Sequence, residues 1–162
     1  MNHLQELKKH LLNLLDSENA HISFDDAVKN FPGELQGIKP KGAPHSPWQL
    51  LEHMRIAQWD ILEFSRDAKH VSPKWPAGYW PRSAAPSNQA AWKQSIAQFR
   101  NDLEQMKKLL NHASEEQLYA PISHGEGQTL LRELLLVADH NAYHLGQLMY
   151  ARKALEAAGE RK

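Results

Sequence analysis

The chain has 162 residues, enough for one domain with a substantial core and short for two. Lys plus Arg and Asp plus Glu number 19 each, a balance that argues against nucleic acid or an anionic membrane as partner. With no cysteine, disulfides, thiolate metal sites and a cysteine nucleophile are excluded.

The start, MNHLQELKKHLLNLLDSEN, carries charges throughout and lacks the uninterrupted apolar core of a signal peptide. No later run approaches a membrane span. The expectation is a cytoplasmic protein organised as a single domain over residues 1–162. Leu4, Leu7, Leu11 and Leu14 form one stripe, which predicts a first helix over about residues 2–16. Residues 17–46 read as a long connection. Within it SFDDAVKNF is a short helix capped by Ser23 and ended by Pro32-Gly33, followed by extended chain in GIKPKGAPHSP.

A second long helix starts with Ser46 as N-cap and Pro47 at its first position. It repeats apolar residues at Leu50, Met54, Ala57, Ile61 and Phe64, and should stop before Pro73. Segment 71–87, VSPKWPAGYWPRSAAPS, holds four prolines and cannot be helical. It is too aromatic for a solvated linker, so Trp75, Tyr79 and Trp80 are expected to pack on the bundle. A third helix opens near Ser87 and runs to about His112. Its Trp92, Ile96, Phe99, Leu103, Met106 and Leu110 have the spacing of a bundle seam. SEEQLYAPISHGEGQ then leads to a fourth helix, capped by Thr129 and long enough to traverse the domain at roughly 1.5 Å per residue. The predicted class is all-α: four helices in a bundle with two long, partly ordered connections.

Ten histidines stand out. On the fourth helix His140 and His144 are four apart, so they share a face at a spacing of roughly 6 Å. Leu130, Leu134, Val137, Asn141, Leu148 and Ala151 share or border that face, which turns the pair inward. A backbone carbonyl and a water would satisfy two such rings. His53, beside Leu50, Met54 and Ala57 on the second helix, also leans inward, and three inward imidazoles at one level form an open, catalytic-type metal site. Asp60, seven residues after His53, is either a carboxylate orienting a ligand or a bound water, or one half of an ordinary salt bridge. Trp48, Asp60 and Tyr143 are candidate pocket residues, with His45 and His124 at the rim. His3, His10, His21, His70 and His112 read as exposed. Two metal designs fail: Asn141 stands where HExxH needs its glutamate, and a di-iron bundle needs two E-x-x-H motifs where Glu18–His21 supplies one, in a loop.

PHSPWQLLEHMRIAQWDILEFSRD, SPKWPAGYWP and GQTLLRELLLVADHNAYHLGQLMYAR, with their spacing, resemble the DinB-like (DinB/YfiT) metalloenzymes from roughly residue 20 to residue 153. The DHNAYHLGQ segment is the most specific part. The resemblance implies a DinB-type four-helix bundle holding one divalent ion, nickel or zinc, on His53, His140 and His144. It also implies homodimers, and either thiol-dependent S-transfer with a low-molecular-weight thiol cosubstrate or metal-dependent hydrolysis of a small molecule. The absence of cysteine suits a thiol supplied by a cosubstrate. A non-catalytic metal-binding or stress-associated protein is the rival expectation, and a plain bundle with structural histidines the third.

Overall fold

The computed structural model describes residues 2–16 and 20–159, so Glu18 of the rejected E-x-x-H pair lies outside it. Among the described residues the fold is all-α, with helices α1 (His3–Leu15), α2 (Phe24–Val28), α3 (Pro47–Arg66), α4 (Gln89–His112), α5 (Glu115–Tyr119) and α6 (Leu130–Gly159). An isolated bridge between Pro121 and Thr129 closes the turn before α6.

Local sequence explains the helix starts. Ser46 accepts from the Gln49 amide while Gln49 returns a bond to the Ser46 amide, and Pro47 occupies the first position of α3. Thr129 caps α6 through the Arg132 amide at 3.2 Å, as expected. Asn88 caps α4 through the Ala91 amide, so that helix opens slightly later than Ser87 suggested. Two local expectations are corrected. α2 ends at Val28, and Pro32-Gly33 begin a separate 3-10 turn. The segment after α4 is not a plain connection, because Ser114 and Gln117 form a capping box that starts α5.

Cross-helix contacts fix the directions. Trp48 meets Trp92, and Gln58 donates to the Phe99 carbonyl at 2.7 Å, so α3 and α4 run the same way. Asn141 donates to Gln58 at 2.8 Å while His53 faces His140 and His144, so α6 runs opposite to α3. Lys8 donates to the Asn111 carbonyl and Lys107 pairs with Asp16, which sets α1 antiparallel to α4. Parallel α3 and α4 require a connection that returns the whole length of α3. Segment 67–88 does this, and its course is pinned step by step. Asp60 holds His70 and Tyr79, Gln49 donates to the Pro81 carbonyl, and Ser46 donates to the Ala84 carbonyl.

The core divides into two apolar clusters. One holds Trp48, Leu51, Met54, Trp92, Phe99, Leu145 and Leu148. The other holds Leu11, Leu15, Leu62, Met106, Leu110, Leu134 and Val137. Between them lies a buried polar step made by Gln58 and Asn141, at the level where the histidines project from α3 and α6.

Candidate metal centre

α3 supplies His53 and α6 supplies His140 and His144, one turn apart. His53 and His144 are buried and His140 partly so. Each offers one ring nitrogen, and the three nitrogens lie within 4.8 Å of one another. His53 Nε2 is 3.1 Å from both His140 Nε2 and His144 Nε2.

The opposite ring nitrogens decide which atoms carry protons. His53 Nδ1 faces the Tyr79 carbonyl at 2.9 Å, and a carbonyl only accepts, so Nδ1 is the protonated atom and Nε2 is a bare lone pair. One lone pair accepts one well-formed hydrogen bond, so two approaches at 3.1 Å cannot both be such bonds. Tetrahedral ligation at 2.0–2.1 Å sets neighbouring nitrogens about 3.3 Å apart, close to the two spacings of 3.1 Å made by His53 Nε2. The donor set therefore fits a divalent cation. His144 Nδ1 meets the Gln147 side-chain oxygen at 2.9 Å, which leaves its Nε2 free in the same way. His140 Nδ1 is buried without a well-formed hydrogen bond, so this ring lacks the acceptor that fixes the other two.

Electrostatics favour neutral rings. Burial, then the neighbouring His144 and His53, pushes the His140 pKa down to about 4. Burial also drives His144 down to about 4, against the Gln147 hydrogen bond and with help from His53. His53 is lowered too, by burial above all and by His45, against the bond to Tyr79. Metal ligation requires neutral imidazole, so all three shifts point the same way.

A family model for the DinB superfamily matches residues 17–148. The chain belongs to the DinB superfamily. No curated protein and no solved structure matches it. In this DinB-superfamily chain the three inward histidines chosen from spacing come together as one cluster.

The surrounding residues divide. Asp60 is buried, and its carboxylate accepts from His70 Nε2 at 2.7 Å and from the Tyr79 hydroxyl at 2.6 Å. Asp60 thus pairs with a histidine, and Tyr79 stands between it and His53. His70 is consequently not an exposed residue, since its side chain is 9% accessible. Burial, then the bond to Asp60, drives the Tyr79 hydroxyl up to about 12, which keeps it protonated as a donor.

Tyr143 is exposed, with its ring 4.8 Å from that of His144. With His45, Gln147 and Tyr150 it lines a cavity of about 520 Å³ beside the centre. Trp48 does not line it; the indole is buried against Trp92 in the core, because its position on α3 faces α4. His124 is also elsewhere, its Nε2 bonded to the Phe64 carbonyl at 2.7 Å. Of the three loop aromatics, Tyr79 and Trp80 pack on the bundle, whereas Trp75 is 72% exposed with only its ring edge on Tyr79. The sequence reading missed Gln147. Its place three residues after His144, on the same helical face, was the available signal.

Proposed function

We propose that this protein binds one divalent ion on His53, His140 and His144 and uses it in a reaction on a small molecule. The observation that carries this reading is the convergence of three Nε2 atoms around a position where His53 Nε2 holds no proton. A bound divalent ion supplies Lewis acidity, which brings a coordinated water or thiol towards neutral pKa. His53 and His144 present neutral nitrogens because their Nδ1 protons are committed to Tyr79 and Gln147. The cavity beside the centre, with Tyr143 and Tyr150 as aromatic walls, offers room for a substrate of modest size.

Three protein ligands leave a position open to a reactant, which favours catalysis over storage. Nickel or zinc suits an imidazole donor set. Among reactions we favour S-transfer from a low-molecular-weight thiol, with metal-dependent hydrolysis as the other form. The family resemblance supports this preference, together with a chain that holds no thiol of its own.

Elemental analysis of the purified protein, before and after dialysis against zinc or nickel, tests the centre. About one ion per chain is expected, and neither bound metal nor uptake overturns the reading. Cobalt-substituted protein then separates the chemistries. For S-transfer, a small thiol should change the cobalt spectrum, and turnover of an electrophile should require that thiol. Hydrolysis should proceed without it. A fourth ligand from the protein itself would leave a binding protein without turnover.

A further inference from the structure

We propose that the aromatic loop 70–81 is the positioning element of the histidine centre, and that Asp60 is its anchor. The inference rests on the metal-centre reading above and gives a role to the WPAGYWP segment.

Asp60 lies two turns after His53 on α3 and uses its two oxygens on two different parts of the loop. Oδ1 takes the His70 Nε2–H at the loop's beginning, and Oδ2 takes the Tyr79 hydroxyl near its end. A buried carboxylate is costly unless it is hydrogen-bonded, so its burial and the closed form of the loop depend on each other.

Tyr79 carries the constraint onward. Its hydroxyl is fixed by Asp60 and its carbonyl accepts the His53 Nδ1 proton. Trp80, the next residue, lies flat on the His53 ring, with centroids 3.8 Å apart and planes 6° apart. His45 covers the other face of the same indole at 3.8 Å. His53 is thereby held in tautomer by one residue and in ring plane by the next. Neither Asp60 nor Tyr79 hydrogen-bonds the Nε2 of His53, His140 or His144, and Trp80 meets His53 by its ring face, so their part is positioning.

Burial alone does not account for this loop. Trp75 is largely exposed, while Tyr79 and Trp80 are only partly buried. What fixes the segment is a set of directed polar contacts and a stack, all leading to one ligand. Groups that orient a metal-bound imidazole in this way commonly account for 10- to 100-fold in metal affinity.

Tyr79→Phe removes the hydroxyl and leaves both the carbonyl and the ring. Zinc affinity measured by chelator competition should fall about 10-fold or more. In the metal-free protein, ¹⁵N NMR should show His53 as a single Nδ1–H tautomer in the wild type and as a mixture in the variant. Asp60→Ala should match Tyr79→Phe. Asp60→Asn, which still offers Tyr79 an acceptor, should stay nearer the wild type. Unchanged affinity together with an unchanged His53 tautomer in both Tyr79→Phe and Asp60→Ala would overturn the inference. If Asp60→Ala fails to fold, Tyr79→Phe decides alone. If the wild type takes up no metal, the metal-centre reading fails and the tautomer still decides the role of the loop.

Discussion

At the scale of single residues, the two best-held histidines of the cluster are held differently. His53 gives its Nδ1 proton to a backbone carbonyl, and His144 gives its own to the Gln147 side chain. A backbone acceptor survives any substitution of its own side chain, whereas Gln147→Leu deletes the acceptor outright. That variant should weaken zinc binding about 10-fold by freeing the His144 tautomer, with little loss of fold, because Gln147 is not in the apolar core. Isothermal titration against zinc checks it. His53→Ala should cost most of the affinity. It removes a ligand, and it also exposes one face of Trp80 and strands the Tyr79 carbonyl.

At the scale of elements, the return of loop 67–88 along α3 depends on a close approach at Gly78. A Cβ there would sit 2.8 Å from the Pro73 Cβ and 3.2 Å from its carbonyl carbon, neither of which is a flexible chain end. Gly78→Ala should force the turn open, at a cost of order 1–3 kcal/mol typical of overpacking. Limited proteolysis reads this directly. Lys74 and Arg82 are exposed, yet the backbone around them is tied to α3. Trypsin should therefore cut the native wild type slowly between residues 73 and 82 and the variant faster. Rapid cleavage of the wild type would contradict an ordered loop. The long helices are less sensitive, since α3 and α6 each bury apolar residues at both ends of the bundle.

At the scale of the whole molecule, the histidine cluster links stability to pH. His140 and His144 titrate near 4 in the folded protein and near 6.5 when unfolded. The unfolded chain therefore takes up protons first as pH falls, so the contribution is fully present above about pH 6.5 and lost between there and about 4. Urea midpoints of the metal-free protein should fall through that window, and less steeply in a His140→Ala, His144→Ala double variant. Metal raises the stakes, because protons and the ion compete for the same lone pairs. Zinc at 100 times its Kd should add about 2.7 kcal/mol, or several degrees in Tm, at pH 7.5 and progressively less towards pH 5. A Tm indifferent to zinc at pH 7.5 would contradict binding to the folded state.

The sequence by itself determined the four long helices and the inward turn of the three histidines. Both are local properties: apolar residues recur at helical spacing, Ser46-Pro47 and Thr129 mark helix starts, and residues four apart must share a face. The order of DHNAYHLGQ was legible for the same reason, since His140, His144 and Gln147 are placed relative to each other by one helix. Only the tertiary structure decided what meets across helices. Trp48 went to the core and not to the cavity, because the rotation of α3 against α4 turns that position towards Trp92. His70 went to Asp60, and Tyr79 and Trp80 went to His53, because α3 and α4 run parallel and their connection has to pass back over the histidine face. Helical periodicity carries no information about the path of a proline-rich return. That path is set by directed contacts between residues distant in sequence, and these exist only once the helices have packed.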